Sequence, residues 1–153
     1  MTLNIRAIAV GGLVAGTIDI AAASVINWVN PVVILHAIAG GILGAASFHS
    51  GTSSAVLGLI LQWVMSLLIA AVFVIGIQWL PALQRRWVTA GLIYGVVIFA
   101  VMNYVVVPLS AVGHVFHFTP VKFLENMLAM WVFGIIIAYT ARDGLHPPAR
   151  EAG

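Results

Sequence analysis

Cysteine is absent from the 153-residue chain, so disulfides, iron–sulfur clusters, thiolate metal sites and c-type haem attachment are excluded from the outset. Charge is nearly as scarce. Six Lys/Arg and four Asp/Glu make up 7% of the residues, where an ordinary soluble domain carries about 25%. Ten charged side chains cannot coat the surface of a water-soluble globule of this length. Six basic residues also make no basic patch, so a nucleic-acid partner is excluded although the pI is near 9.5. What fills the sequence instead is apolar: 63% of the residues are hydrophobic before glycine is counted. One integral membrane domain over 1–153 is the reading that remains, with 142–153 as a short tail.

A hydrocarbon core about 30 Å thick needs roughly 20 apolar residues in helical form. Four stretches meet that length: Ala7–Trp28, Ser53–Trp79, Trp87–Pro108 and Pro120–Ala141. Lipid offers no hydrogen bonds to the backbone, which makes each of them a helix. Pro81 and the Arg85–Arg86 pair mark the break between the middle two. With the N-terminus inside, four crossings put Arg6, Arg85, Arg86, Arg142 and Arg150 on the cytoplasmic side and leave Lys122 on the other, as the positive-inside rule requires. Trp28 and Tyr104 then lie near the outer interface, and Trp79, Trp87 and Tyr139 near the inner one. This predicts a multi-pass protein of a bacterial inner membrane with both termini cytoplasmic.

One apolar segment fits less well. Asn30–Pro31 reads as an N-cap followed by proline at the first helical position, opening a helix over about Pro31–Ser47 that is short for a span. His36, Gly40 and Gly44 recur every four residues on one face, where glycine lets another helix approach. A fifth crossing would break the charge pattern, so a re-entrant or interfacial outer helix is expected. The expected fold is thus an all-α membrane bundle of four transmembrane helices plus this short one. Ala21-Ala22-Ala23 resembles a signal cleavage site, but Asp19 interrupts the apolar run and a retained first span is expected. Gly12-Leu13-Val14-Ala15-Gly16 echoes Gly91-Leu92-Ile93-Tyr94-Gly95. Two helix-pair repeats would produce this, but small-xxx-small is common in membrane helices and is the simpler account.

Asp19 lies about 18 Å into the first span. A carboxylate there costs at least ~2.5–3.5 kcal/mol on insertion scales, so it must be neutral or held by a partner. Two readings stand side by side: a proton-exchanging or cation-binding group, and a hydrogen-bonded link between helices. Gln62, Asn103, Glu125 and Asn126 fall at a similar distance from the outer face, which suggests one polar layer in the outer half. Lys122 and Glu125, three residues apart on one helical face, are expected to pair. Pro108 leaves the Tyr104 carbonyl without its helical donor, although a proline that simply ends the span at the interface is the simpler account.

The same topology gathers His36, His49, His114 and His117 on the outer side, with His146 in the tail. Two histidines three apart, His114 and His117, are a weak metal signal, and no metal or other cofactor is expected. No span contains a histidine to serve as an axial haem ligand. Protonation of the outer four would make that face pH-sensitive. Phosphate-loop, metalloprotease and nucleophile-elbow motifs are absent, so no catalytic residue is assigned and no enzyme is expected. Trp63 and Trp131 fall mid-span and are expected to fill the core.

The glycine-rich first span, Gly91-Leu92-Ile93-Tyr94-Gly95, the closing Pro108, the aromatic stretch after it, Glu125-Asn126 and Arg142-Asp143 together resemble the uncharacterised YagU-type bacterial inner-membrane proteins. The likeness covers most of the chain through short motifs. It departs where that family carries histidines in or near its helices and this chain has Gln62 and Trp131. The resemblance implies a stress-related inner-membrane role, with an association with acid resistance. Two functions follow as expectations: a non-enzymatic accessory or stress-related membrane subunit, self-associating or bound to a larger complex, and a minimal proton, cation or small-solute transporter using Asp19.

Overall fold

The computed structural model describes residues 4–80, 85–113 and 117–143. Five helices account for almost all of them. α1 is Ile5–Asn27, α2 is Pro31–Leu43 and α3 is Gly51–Trp79; α4 is Trp87–Leu109 and α5 is Pro120–Asp143. Each of the five is long and apolar enough to cross a bilayer by length and composition, α2 once its continuation to Phe48 is included. The chain is a polytopic membrane protein, and lipid is its solvent. The boundaries expected from hydropathy for the four long helices agree with these to within two residues.

Local chemistry explains the ends. The Asn4 side chain accepts the Ala7 N–H at 3.0 Å and starts α1. Trp28 stops it in the left-handed region (φ 54°), its N–H turned back to the Ser24 and Val25 carbonyls. The Ser24 hydroxyl donates to the Val29 carbonyl and secures the turn. The expected cap at Asn30 is present: its side chain accepts the Val32 N–H at 2.9 Å, ahead of Pro31. Gly44 (φ 59°) ends the α-helical part of α2, and a 3-10 stretch, Gly44–Phe48, carries it on. That extension gives 18 residues, about 30 Å at 1.5 and 2.0 Å per residue. The segment is therefore longer than its α-helical part suggests, and the expectation of a helix too short to span does not follow from its length.

The helices pack in the spatial order α4, α5, α1, α3, α2, with small residues at every seam. A methyl on Gly91 would come within 2.8 Å of the Gly134 carbonyl oxygen, and one on Gly12 within 2.9 Å of the Leu67 Cα, so both pairs of backbones are in close approach. Gly16 faces Ser66 and Trp63, while Gly95 faces the backbone of Met130 and Trp131. The two similar glycine motifs thus do the same job, each packing on the next long helix, as two repeats of a helix pair would. On α2 the close approach is made by the Leu35 carbonyl against Gly58 of α3. The expected stripe His36–Gly40–Gly44 instead supplies a hydrogen bond, a contact with Ser47 and a helix end.

α3 and α4 meet mainly through Tyr94, whose hydroxyl donates to the Ile69 carbonyl at 2.7 Å and whose ring lies 4.9 Å from that of Phe73. Apolar grooves lined by Val72, Val97 and their neighbours flank it on both sides. At one end of the bundle the Arg142 guanidinium sits 5.0 Å from the Trp87 ring and 4.7 Å from the Tyr139 ring. At the other, Lys122 of α5 donates to the Ile26 carbonyl of α1. The Ala111 N–H, just past α4, donates to Gly41 of α2 at 2.9 Å, and His36 of α2 meets Ser54 in the opening turns of α3. The C-terminal ends of α1, α2 and α4 therefore gather with the starts of α3 and α5.

Candidate functional site

Asp19 stands on the face of α1 that turns from α3 toward α5. Gly12 lets the α3 backbone approach at Leu67, and Gly16, one turn before Asp19, leaves room for the Ser66 and Trp63 side chains, so that Gln62 reaches across. Gln62 Nε2 donates to Asp19 Oδ2 at 2.9 Å and lies 3.3 Å from the Gly16 carbonyl. Ser66 donates to the Gln62 carbonyl at 2.8 Å, one turn along the same face. Two of the five residues expected in the polar layer are therefore bonded directly.

The other three are arranged differently. Gly11 packs against Thr140 and Ile137, and Ile26 bonds Lys122, a register that sets the turn 129–132 opposite Asp19 and Glu125 roughly 6–10 Å further out. Glu125 forms the expected ion pair with Lys122, Oε2 to Nζ at 3.1 Å. Asn126 donates to the Lys122 carbonyl at 2.7 Å and Asn103 to the Phe99 carbonyl at 2.9 Å, each on its own helix. Asn103 does so from within a π-helical turn, Met102–Val106, which immediately precedes the turn containing Pro108. A wider turn removes the need for a proline N–H aimed at the carbonyl four residues back. The helix runs on through Pro108 to Leu109.

Asp19 and Glu125 nevertheless share a surface. A groove of about 430 Å³ runs between α1 and α5, lined by both acids together with Ala15, Ala22, Ala129 and Phe133. Residue spacing alone could not give this groove, because it depends on rotation about two helix axes. The signal available was the small residues Ala22 and Ala129 at the level of Asp19. Trp63 also departs from expectation. It lies at the bundle surface beside α1, its indole N–H 3.3 Å from the Thr17 hydroxyl, and so does not fill the core. Trp131 is half-buried with its indole nitrogen enclosed.

Of the expected outer histidines, His36 is half-buried with Nδ1 3.2 Å from the Ser54 hydroxyl, and its ring is 6.1 Å from that of Phe48. His49 and His117 are exposed. His114, His146, Pro81 and Arg150 lie outside the described residues. Among the described residues no three His, Asp or Glu side chains come together as a metal site. Comparison with known protein families, curated proteins and solved structures found no match to this chain. The YagU-type resemblance accordingly rests on its short motifs alone.

Proposed function

We propose that this polytopic protein is a non-enzymatic accessory subunit of a bacterial inner membrane, stress-related as the YagU-type resemblance implies. The supporting observation is the use of its intramembrane polar groups. Gln62 directs its amide at Asp19 and the Gly16 carbonyl, which ties α3 to α1, while Asn103 and Asn126 satisfy carbonyls of their own helices, so these amides hold the helices and their neighbours in place. A bundle built this way offers its apolar exterior to lipid and to other membrane helices. Extraction of native membranes in mild detergent tests the reading: migration within a larger assembly is expected, and a lone chain carrying an ion flux would overturn it.

Within this reading, four helices cross and α2 is re-entrant on the outer side. The support is that α2 begins three residues after α1 and touches the chain beyond α4 near its own end, so both of its ends belong to the same end of the bundle. Arg6, Arg85, Arg86 and Arg142 then share the cytoplasmic side, with Lys122 outside.

A second reading, a minimal proton or cation transporter, is favoured by one observation: both acids of the membrane interior, Asp19 and Glu125, line the same groove. A flux into liposomes that Asp19→Asn abolishes supports it, and a flux unchanged by that substitution overturns it.

A further inference from the structure

The α1–α5 groove has a composition that helix packing alone does not call for. Ala15, Ala22 and Ala129 leave its floor open at the level of Asp19, and Phe133 closes one wall. Ile18, Val25, Leu128 and Val132 form its rim and are exposed, so the groove faces the hydrocarbon. Lys122 is engaged by Glu125 and by the Ile26 carbonyl. Asp19 is bonded to an uncharged amide, and among the described residues no cationic side chain lies against it.

A small inorganic cation would be poorly served here. Calcium takes about six to eight oxygen ligands and magnesium about six, whereas two carboxylates are the charged oxygen donors on a surface otherwise almost wholly apolar. A cation that brings its own apolar shell needs only one negative charge, and an aromatic face adds attraction. The volume falls in the ordinary range for small-molecule sites, about 300–1,000 Å³.

We propose that the groove binds a hydrophobic monovalent organic cation, of quaternary ammonium or phosphonium type, entering sideways from the bilayer with Asp19 as its counter-charge. This rests on the transport reading and names its substrate class. Phe133 and the alanine floor hold the apolar groups, and Glu125, already paired, contributes less than Asp19.

Tetraphenylphosphonium binding to the purified full chain in detergent, measured by calorimetry, is the test. Saturable binding is expected to weaken at least tenfold in Asp19→Asn, which keeps a carbonyl for Gln62 to reach, and at least tenfold in Ala129→Phe, which fills the groove. Glu125→Gln should change it less than threefold. Circular dichroism and size-exclusion profiles like the wild type qualify each variant. The chain has no cysteine of its own, so Ala129→Cys supplies a unique thiol that the cation should protect from a membrane-permeant maleimide. Equal competition by neutral triphenylphosphine oxide, or undiminished binding to Asp19→Asn, overturns the proposal. So does cross-linking of Cys at position 129 to a partner helix in native membranes, which would make the groove a helix seam. An Asp19-dependent proton flux without phosphonium binding overturns this inference and spares the transport reading; absence of both overturns the two together.

Discussion

Gln62 on α3 and Asp19 on α1 are joined by a 2.9 Å hydrogen bond between two half-buried side chains. Such bonds between membrane helices measure about 0.6 kcal/mol on average and at most about 1.7. Gln62→Leu should therefore lower stability by about 1 kcal/mol in a detergent-micelle unfolding titration. Asp19→Leu in that background should cost little more. Full additivity of the two would mean that the pair does not couple.

The glycine seams differ sharply in what they tolerate. A methyl on Gly134 runs into the Gly91 backbone, whereas one on Gly76 meets nothing within 4 Å. Gly134→Ala should destabilise by roughly 1–3 kcal/mol as α4 and α5 are pushed apart. Gly76→Ala should be neutral or stabilising by about 0.5–1 kcal/mol through reduced chain entropy. Equal melting temperatures for the two would contradict the close packing of α4 on α5.

Single-cysteine labelling reads the path of α2. Val29→Cys and His49→Cys flank it, and both should react with a membrane-impermeant maleimide added outside intact cells. Arg85→Cys should react only after permeabilisation. If Val29→Cys and His49→Cys labelled from opposite sides, α2 would be a fifth crossing.

Arg142 lies over two aromatic rings, at 5.0 Å from Trp87 and 4.7 Å from Tyr139. A cation–π contact near the interface contributes about 0.5–1 kcal/mol. Arg142→Gln should lower stability by about that much, and Arg142→Lys by less. The difference is to be read from thermal unfolding in one detergent, and a larger loss in the Lys variant would argue against the ring contacts.

Hydropathy and length placed the four long helices because the bilayer imposes one requirement on every span, a closed set of backbone hydrogen bonds over a fixed thickness. The Asn30–Pro31 cap was equally legible, since it depends on two adjacent residues. Rotation about each axis was not. Asn103 and Asn126 shared a depth with Asp19 yet turn to their own helices, while Gln62 turns inward because Gly12 and Gly16 let α1 and α3 close up. The length of α2 was obscured by Gly44, which ends the α-helix in a positive-φ conformation and starts a tighter coil. The surface position of Trp63 was hidden for the same reason as the turn of the asparagines: a mid-span position fixes depth and says nothing about which neighbour the side chain meets.

The wide turn before Pro108 has a consequence for how this segment tolerates sequence length. It holds one more residue than an α-helical turn would, so that extra residue and the proline form a matched set. Excising the surplus residue alone would drive the ring into the carbonyl oxygen then four residues before it, and replacing the proline alone would leave a loop of backbone with no reason to stay enlarged. Changed together, they would restore an ordinary helix of nearly the same span, so the two alterations should be tolerated jointly far better than singly.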